Sequence, residues 1–155
     1  MMLPFLRDHV MANHPYDMRD GLEGDDLMGI YATQPDMDGE YVIYSADKDM
    51  KTIPALLWDD DDKVVVVNTL EQANRYWLTQ ALTGDPTDGY KGATKIGAVG
   101  AKKILDNDCS WEAVLTAFIK QGHTEHEALQ QAQVSRILRH ENYDLVTNTL
   151  GVWQP

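Results

Sequence analysis

Apolar residues at Leu22, Leu27, Met28, Ile30 and Tyr31 recur at helical spacing and predict a helix from Leu22 to about Thr33. Residues 1–21, ahead of it, mix Pro, Asn, Asp and Gly with weak periodicity and read as an irregular lead-in. Pro35, Asp36, Asp38 and Gly39 predict a turn into a short strand, Tyr41-Val42-Ile43-Tyr44. That strand is apolar throughout, the pattern of a strand covered on both faces. Ile53 to Trp58 reads as a second extended piece, Asp59 to Asp62 as a charged turn, and Lys63 to Val67 as the most strand-like stretch. Helical spacing resumes from Leu70 to Leu82, with Ala73, Tyr76, Trp77, Gln80 and Ala81 on one side. A glycine-rich segment, Gly84 to Gly100, holds two short polar turns. Helices are then expected over Ala101–Asn107, over Ser110–Gln121 after a Ser N-cap, and over Thr124–Arg139 after a Thr N-cap. Helix alternating with strand, followed by helices alone, predicts an α/β sheet domain with an α-helical C-terminal portion.

A chain of 155 residues suits one domain, or one domain with a small appendage, and 43% hydrophobic content is ordinary for a globular protein. No apolar run approaches the roughly 20 residues that span a bilayer, so no membrane association is expected. Leu3 to Leu6 is followed at once by Arg7, Asp8 and His9, unlike a signal peptide. The single cysteine, Cys109, reads as a small, partly buried side chain in a chain made for a reducing cytosol.

Charge changes the picture by its distribution. Residues 1–90 carry 6 Lys/Arg against 18 Asp/Glu, the whole of the net −12, whereas residues 91–155 carry 7 of each. Lys91, Lys95, Lys102 and Lys103 lie in thirteen residues without an acid. An acidic segment abutting a compact basic one suits a cation site beside a phosphate-binding surface.

Three acidic clusters sit where elements end. Glu23-Gly24-Asp25-Asp26 opens the first predicted helix, and Glu23 and Asp26, three apart, would share a face. Asp47-Lys48-Asp49 follows the Tyr41–Tyr44 strand, where open α/β folds bind ligands. Gly84-Asp85-Pro86-Thr87-Asp88 is a turn able to aim two carboxylates one way. Mg²⁺ prefers oxygen ligands, and a pair of such ions can activate water and steady the leaving oxygen in phosphodiester cleavage. Taken singly, each cluster is more simply a helix-dipole interaction or a solvated turn. Asp59 to Asp62 reads as a solvated connection, Asp36 to Glu40 lacks calcium-loop spacing, and His123 and His126 read as surface histidines.

From Gly89 to Leu105, glycines would permit a tight hairpin between two short helices, with N–H groups at the second helix start open to a phosphate. Lysines on both sides add the sequence-independent attraction that dominates non-specific DNA binding. The bland alternative is a Gly-rich loop with incidental lysines.

Taken together, these residues resemble the 5′ nucleases, the superfamily of flap endonucleases and the 5′-nuclease domain of bacterial DNA polymerase I. The matching pieces are Glu23 to Asp26, Ser45 to Asp49, Gly84 to Asp88, and Ile96-Gly97 running into Ala101. The likeness is greatest to the 5′→3′ exonucleases of short-tailed bacteriophages. It extends to the tail, through Arg136 to Arg139, Tyr143 and Trp153-Gln154-Pro155, and covers residues 22–155. The resemblance implies a partial PIN-like sheet domain over 22–84, and a helix-hairpin-helix with a helical region over 85–155. It implies Glu23, Asp25 and Asp26 on a first-metal side and Asp47, Asp49, Asp85 and Asp88 on a second. Two Mg²⁺ ions are expected there, with Mn²⁺ able to substitute. Lys91, Gly92, Lys95, Gly97, Gly100, Lys102 and Lys103 would grip DNA bearing a 5′ end or flap, and hairpin carbonyl groups would bind K⁺. The implied compartment is the cytoplasm of an infected bacterium.

Two departures stand out. The familiar Gly-Ile-Gly reads Lys95-Ile96-Gly97, and the later Lys-Thr position reads Val99-Gly100. Relatives also carry a long segment before the Glu-rich helix, with a metal-binding Asp, a further acid and a basic gateway, which residues 1–21 are too short to hold. A separate polypeptide supplying that N-terminal half is therefore the expectation. Two other readings compete: a non-catalytic DNA-binding module or regulatory remnant of a split nuclease, and an interaction protein that occupies a full-length nuclease's partner surface.

Overall fold

Leu27 and Ile30 lie on the inner face of the helix that the first apolar pattern predicts, and a computed structural model shows how the chain closes over them. It describes residues 3–37 and 41–155, so the expected turn at Asp38 and Gly39 lies outside the described residues. The elements run α1 (Leu3–Asn13), α2 (Gly24–Ala32), β1 (Val42–Ile43), β2 (Leu56–Asp59), β3 (Val64–Val67), α3 (Leu70–Thr83), α4 (Ala98–Asn107), α5 (Trp111–Lys120), α6 (Glu125–Val134), β4 (Tyr143–Asp144) and β5 (Thr149–Leu150). Among the described residues this is an α/β chain with two small sheets. In the first, β1 pairs parallel with β2 and β2 antiparallel with β3; in the second, β4 and β5 form a hairpin.

Helix starts follow side-chain chemistry. Thr69, Ser110 and Thr124 each accept a hydrogen bond from a backbone N–H of the first turn, which satisfies one of the orphan donors there. Four helices, α3 to α6, then enclose the larger core. Trp77, Leu82, Leu105, Val114 and Phe118 meet inside it, and the small faces of Ala128 and Ala132 let α6 approach α3. Trp153 from the tail stacks edge-on against Trp77 and Trp111, at centroid separations of 4.8 and 5.3 Å. A smaller core under the sheet joins Ile43, Met50, Ile53 and Ile137.

Four expectations need correction. Residues 1–21 are not wholly irregular: with no glycine between residues 3 and 13, α1 forms, and Pro4 is tolerated in its first turn, where its missing N–H costs nothing. β1 is covered on one face only, Ile43 being buried and Val42 exposed. The last long helix stops at Val134 rather than Arg139, because Ile137 drops into the smaller core and Arg136 and Arg139 turn inward. Cys109 is exposed.

The two buried arginines tie the tail to the rest. Arg136 donates to Asn142 Oδ1 (2.6 Å) and Glu141 Oε1 (2.7 Å), and its guanidinium lies 5.3 Å over the Trp77 ring. Arg139 donates to the Thr52 carbonyl (2.8 Å) and to Asn74 (2.9 Å). Burial lowers its pKa to about 10, and the charge of Arg136 adds to the fall.

Candidate metal centre and nucleic-acid face

The chain leaves β1 into a 3-10 turn, Lys48–Thr52, that packs on α3. Asp47 caps this turn, its Oδ1 accepting from the Asp49 N–H at 2.9 Å, while its own N–H donates to Ser45 Oγ at 3.1 Å. Asp49 is thereby held half-buried against α3, where Gln80 Nε2 donates to its carboxylate. Burial pushes the Asp49 carboxyl above the usual range against the pull of the Gln80 bond, and the charge of Asp47 adds to the rise.

At the far end of α3, Gly84 and Gly92 bring two backbone strands into contact. Both have positive φ, and a Cβ on Gly92 would lie 2.3 Å from the Gly84 nitrogen. That closure sets Asp85 and Tyr90 in a reciprocal backbone bridge, with N–H to carbonyl distances of 2.9 and 3.1 Å. The Asp85 carboxylate is pinned by the Thr87 N–H at 2.8 Å and by the Lys48 ammonium. Lys48 holds the Asp85 carboxyl below the usual range, and Asp85 in turn raises the Lys48 ammonium.

Asp49, Asp85 and Asp88 each offer a carboxylate oxygen, and those oxygens all lie within 4.8 Å of one another. A cleft of about 540 Å³ opens beside them, lined by Asp47, Asp49 and Asp88 on one flank and Glu23, Asp25 and Asp26 on the other. All seven acids singled out in the sequence thus adjoin one place, but in different states. On α2, Asp26 Oδ2 accepts from the Glu23 N–H (3.3 Å) and Asp26 Oδ1 from the Leu138 N–H (3.2 Å). Asp26 is therefore a cap and a cross-chain tie. Asp25 Oδ1 accepts from the Asp26 N–H at 3.0 Å, and Glu23 is exposed.

Sequence reasoning passed over Lys48, Gln80, Tyr90 and Gln131. Gln80 carried a legible signal, being a polar residue on the apolar side of a helix. The lysine between two candidate ligands carried another.

The glycine-rich segment departs from expectation in two ways. What precedes its turn is the Asp85–Tyr90 bridge, not a short helix, and α4 begins at Ala98 rather than Ala101. Gly92 is buried and its N–H, like that of Lys91, donates to Gln131 Oε1, at 2.7 and 3.0 Å. The Gly92 N–H is thus unavailable to a phosphate, and the residue serves backbone packing. His123 is half-buried and accepts from the Thr94 N–H at 3.1 Å, which anchors the turn to the α5–α6 junction. Lys95 holds the turn with a φ of 61°, and Gly97 caps α4 without a side chain. Lys91, Lys95, Lys102 and Lys103 are all exposed, but Lys102 pairs with Asp106, which Arg75 also holds.

The donor set fits a hard divalent cation: carboxylate oxygens at close quarters, with the buried Gln80 Oε1, without a hydrogen-bond partner among the described residues, on the amide whose Nε2 bonds Asp49. Among the described residues, no helix is long and apolar enough to cross a membrane. No known family profile matches the chain, and no solved structure does. Two curated proteins are similar to it. The exodeoxyribonuclease of Enterobacteria phage T3 is 31% identical over 169 aligned positions, 86% of this chain and 56% of that protein. The exonuclease of Escherichia phage T7 is 31% identical over 170 positions, with the same shares. The likeness to phage exonucleases that the motifs carry therefore runs through most of the chain. This chain spans about half the length of the curated relatives it matches.

Proposed function

We propose that this chain is the metal-binding and DNA-holding part of a Mg²⁺-dependent 5′→3′ DNA exonuclease or flap endonuclease. The observation that carries this reading is the convergence of Asp49, Asp85 and Asp88 beside an acid-lined cleft, in a chain similar to two named phage exonucleases. A pair of hard cations supplies an activated water and charge stabilisation at the leaving oxygen. Asp49, Asp85 and Asp88, with Asp47 at the rim, would hold the second ion; Glu23 and Asp25 would serve the first. Asp26 would support that flank by fixing the start of α2 to Leu138.

The remaining residues position. Gln80 steadies Asp49, and the Asp85–Tyr90 bridge fixes where the second carboxylate points. Burial and neighbouring carboxylates raise the Tyr90 phenol, so it stays neutral and packs as an uncharged wall. Duplex would lie across the exposed side of α4, with Lys91, Lys95 and Lys103 facing phosphates, Lys102 contributing less because of Asp106, and the N–H groups after Gly97 and at Gly100 open to an oxygen. The turn carbonyls between Ala93 and Ile96 are where K⁺ would sit. Any further acids for the α2 flank would come from the length of the relatives that this chain does not span. That remainder would come from the same polypeptide or from a separate one.

The test is cleavage of a 5′-labelled duplex in Mg²⁺, with and without the polypeptide encoded next to this one. Mg²⁺-dependent release of 5′ nucleotides, lost in Asp49→Asn and Asp85→Asn, supports the proposal. Binding to DNA without cleavage under every condition sinks it.

A further inference from the structure

Three carboxylates within 4.8 Å of one another repel, and one of them, Asp85, is only 7% exposed. A buried carboxylate needs a partner of opposite charge close by. Lys48 provides it, its ammonium bonded to Asp85 Oδ2 across 37 residues of sequence. Lys48 itself lies between two of the proposed ligands, at the start of the turn that Asp47 caps and that includes Asp49.

The two ends of this ion pair are held unequally. Asp85 stays in place without Lys48, because Thr87 N–H holds its other oxygen and the Tyr90 bridge holds its backbone. Lys48 is 55% exposed on a flexible stem, so it can leave. An ammonium and a divalent cation cannot share one oxygen at bonding distance. We propose that Lys48 is an exchangeable internal counter-cation: it neutralises Asp85 in the metal-free chain and swings out to the cleft rim when a divalent ion binds. This deepens the nuclease reading and rests on it for the identity of the metal ligands.

The exchange has a sign that a static strut lacks. If Lys48 only propped up Asp85, its removal would loosen the site and weaken metal binding. If it competes for Asp85, its removal strengthens binding.

The experiment is Mn²⁺ titration of the full chain, read by the free-ion electron paramagnetic resonance signal without DNA, for wild type, Lys48→Met and Lys48→Arg. Lys48→Met is expected to bind Mn²⁺ about fivefold more tightly, the worth of a half-exposed ion pair. Lys48→Arg, whose forked guanidinium grips a carboxylate with two bonds, is expected to bind it more weakly than wild type. In EDTA the melting temperature of Lys48→Met should fall below that of wild type, and the stabilisation by Mn²⁺ should be larger. Equal or weaker binding by folded Lys48→Met overturns the exchange. Should Lys48→Met not fold, Lys48→Arg decides alone, since affinity equal to or above wild type overturns the proposal. A wild type that binds Mn²⁺ while both variants match it sinks the exchange and leaves the nuclease reading standing. Failure of all three to bind at millimolar Mn²⁺ sinks both.

Discussion

The two flanks of the acidic cleft are built to different standards. On the α3 side, each carboxylate of Asp49 and Asp85 has a fixed donor, and the backbone behind them is closed by the Gly84–Gly92 contact and backed by the four-helix core. On the α2 side, Asp26 is taken by two backbone N–H groups, Asp25 by one, and Glu23 stands exposed. Preorganisation follows packing: a carboxylate can be aimed only as firmly as the element carrying it is held. The α3 flank sits on a closed core. The α2 flank packs on β1, one edge of a sheet whose other edge strand, β3, exposes Val64 to Val67 at 43–62%.

The contrast predicts its largest effect in metal binding. Asp49→Asn should cost this chain its Mn²⁺ site, with a loss of cleavage beyond the roughly 100-fold expected when only an outer partner is removed. Glu23→Gln should leave Mn²⁺ affinity of the chain nearly unchanged. Isothermal titration of both variants checks this, and equal losses would abolish the asymmetry.

The next effect concerns the support. Phe118 is fully buried where α5 meets α3, so Phe118→Ala should lower stability by about 3–5 kcal/mol in urea unfolding. Ile43→Val, under the open sheet, should cost only about 1 kcal/mol. Gly92→Ala comes below Phe118→Ala. Its Cβ would meet the Gly84 nitrogen at 2.3 Å and the Leu82 carbonyl at 2.5 Å with φ at 64°, so a loss well over 1 kcal/mol is expected. Because that clash also shifts Asp85, Mn²⁺ affinity should fall with it. Phe118→Ala, by contrast, should keep its affinity for as long as it stays folded.

These differences also mark what the sequence could disclose. The starts of α3, α5 and α6 were legible because these helices carry both side-chain caps and apolar stripes, as at Thr69 with Ala73, Trp77 and Ala81, whereas α4, capped by Gly97 without a side chain, begins three residues before its expected start. The acid clusters were legible because each lies at an element end, where side chains have few packing duties. Arg136 and Arg139 were not. Their periodicity continues α6, and only the burial of Ile137 against Ile43 and Met50 turns the chain inward. Gln131 was equally hidden, since its bonds to the Lys91 and Gly92 N–H groups join positions about forty residues apart. Local patterns report local constraints; a contact between distant segments leaves no period to read.

Asp26 gives a small effect and the sharpest test of the contrast. Its two oxygens take the Glu23 and Leu138 N–H groups, so Asp26→Ala removes a helix cap and leaves a half-buried donor at Leu138. Each change costs on the order of 0.5–1 kcal/mol, giving a loss of about 1–2 kcal/mol in urea unfolding. Mn²⁺ affinity should stay within about twofold of wild type, the change a weakened but unbroken support allows. Asp26→Asn should recover part of the stability, since its carbonyl oxygen still accepts one N–H. If Asp26→Ala instead kept full stability and lost Mn²⁺, the carboxylate would be a ligand rather than a tie. The α2 flank would then be as much a part of the metal site as the Asp49 turn.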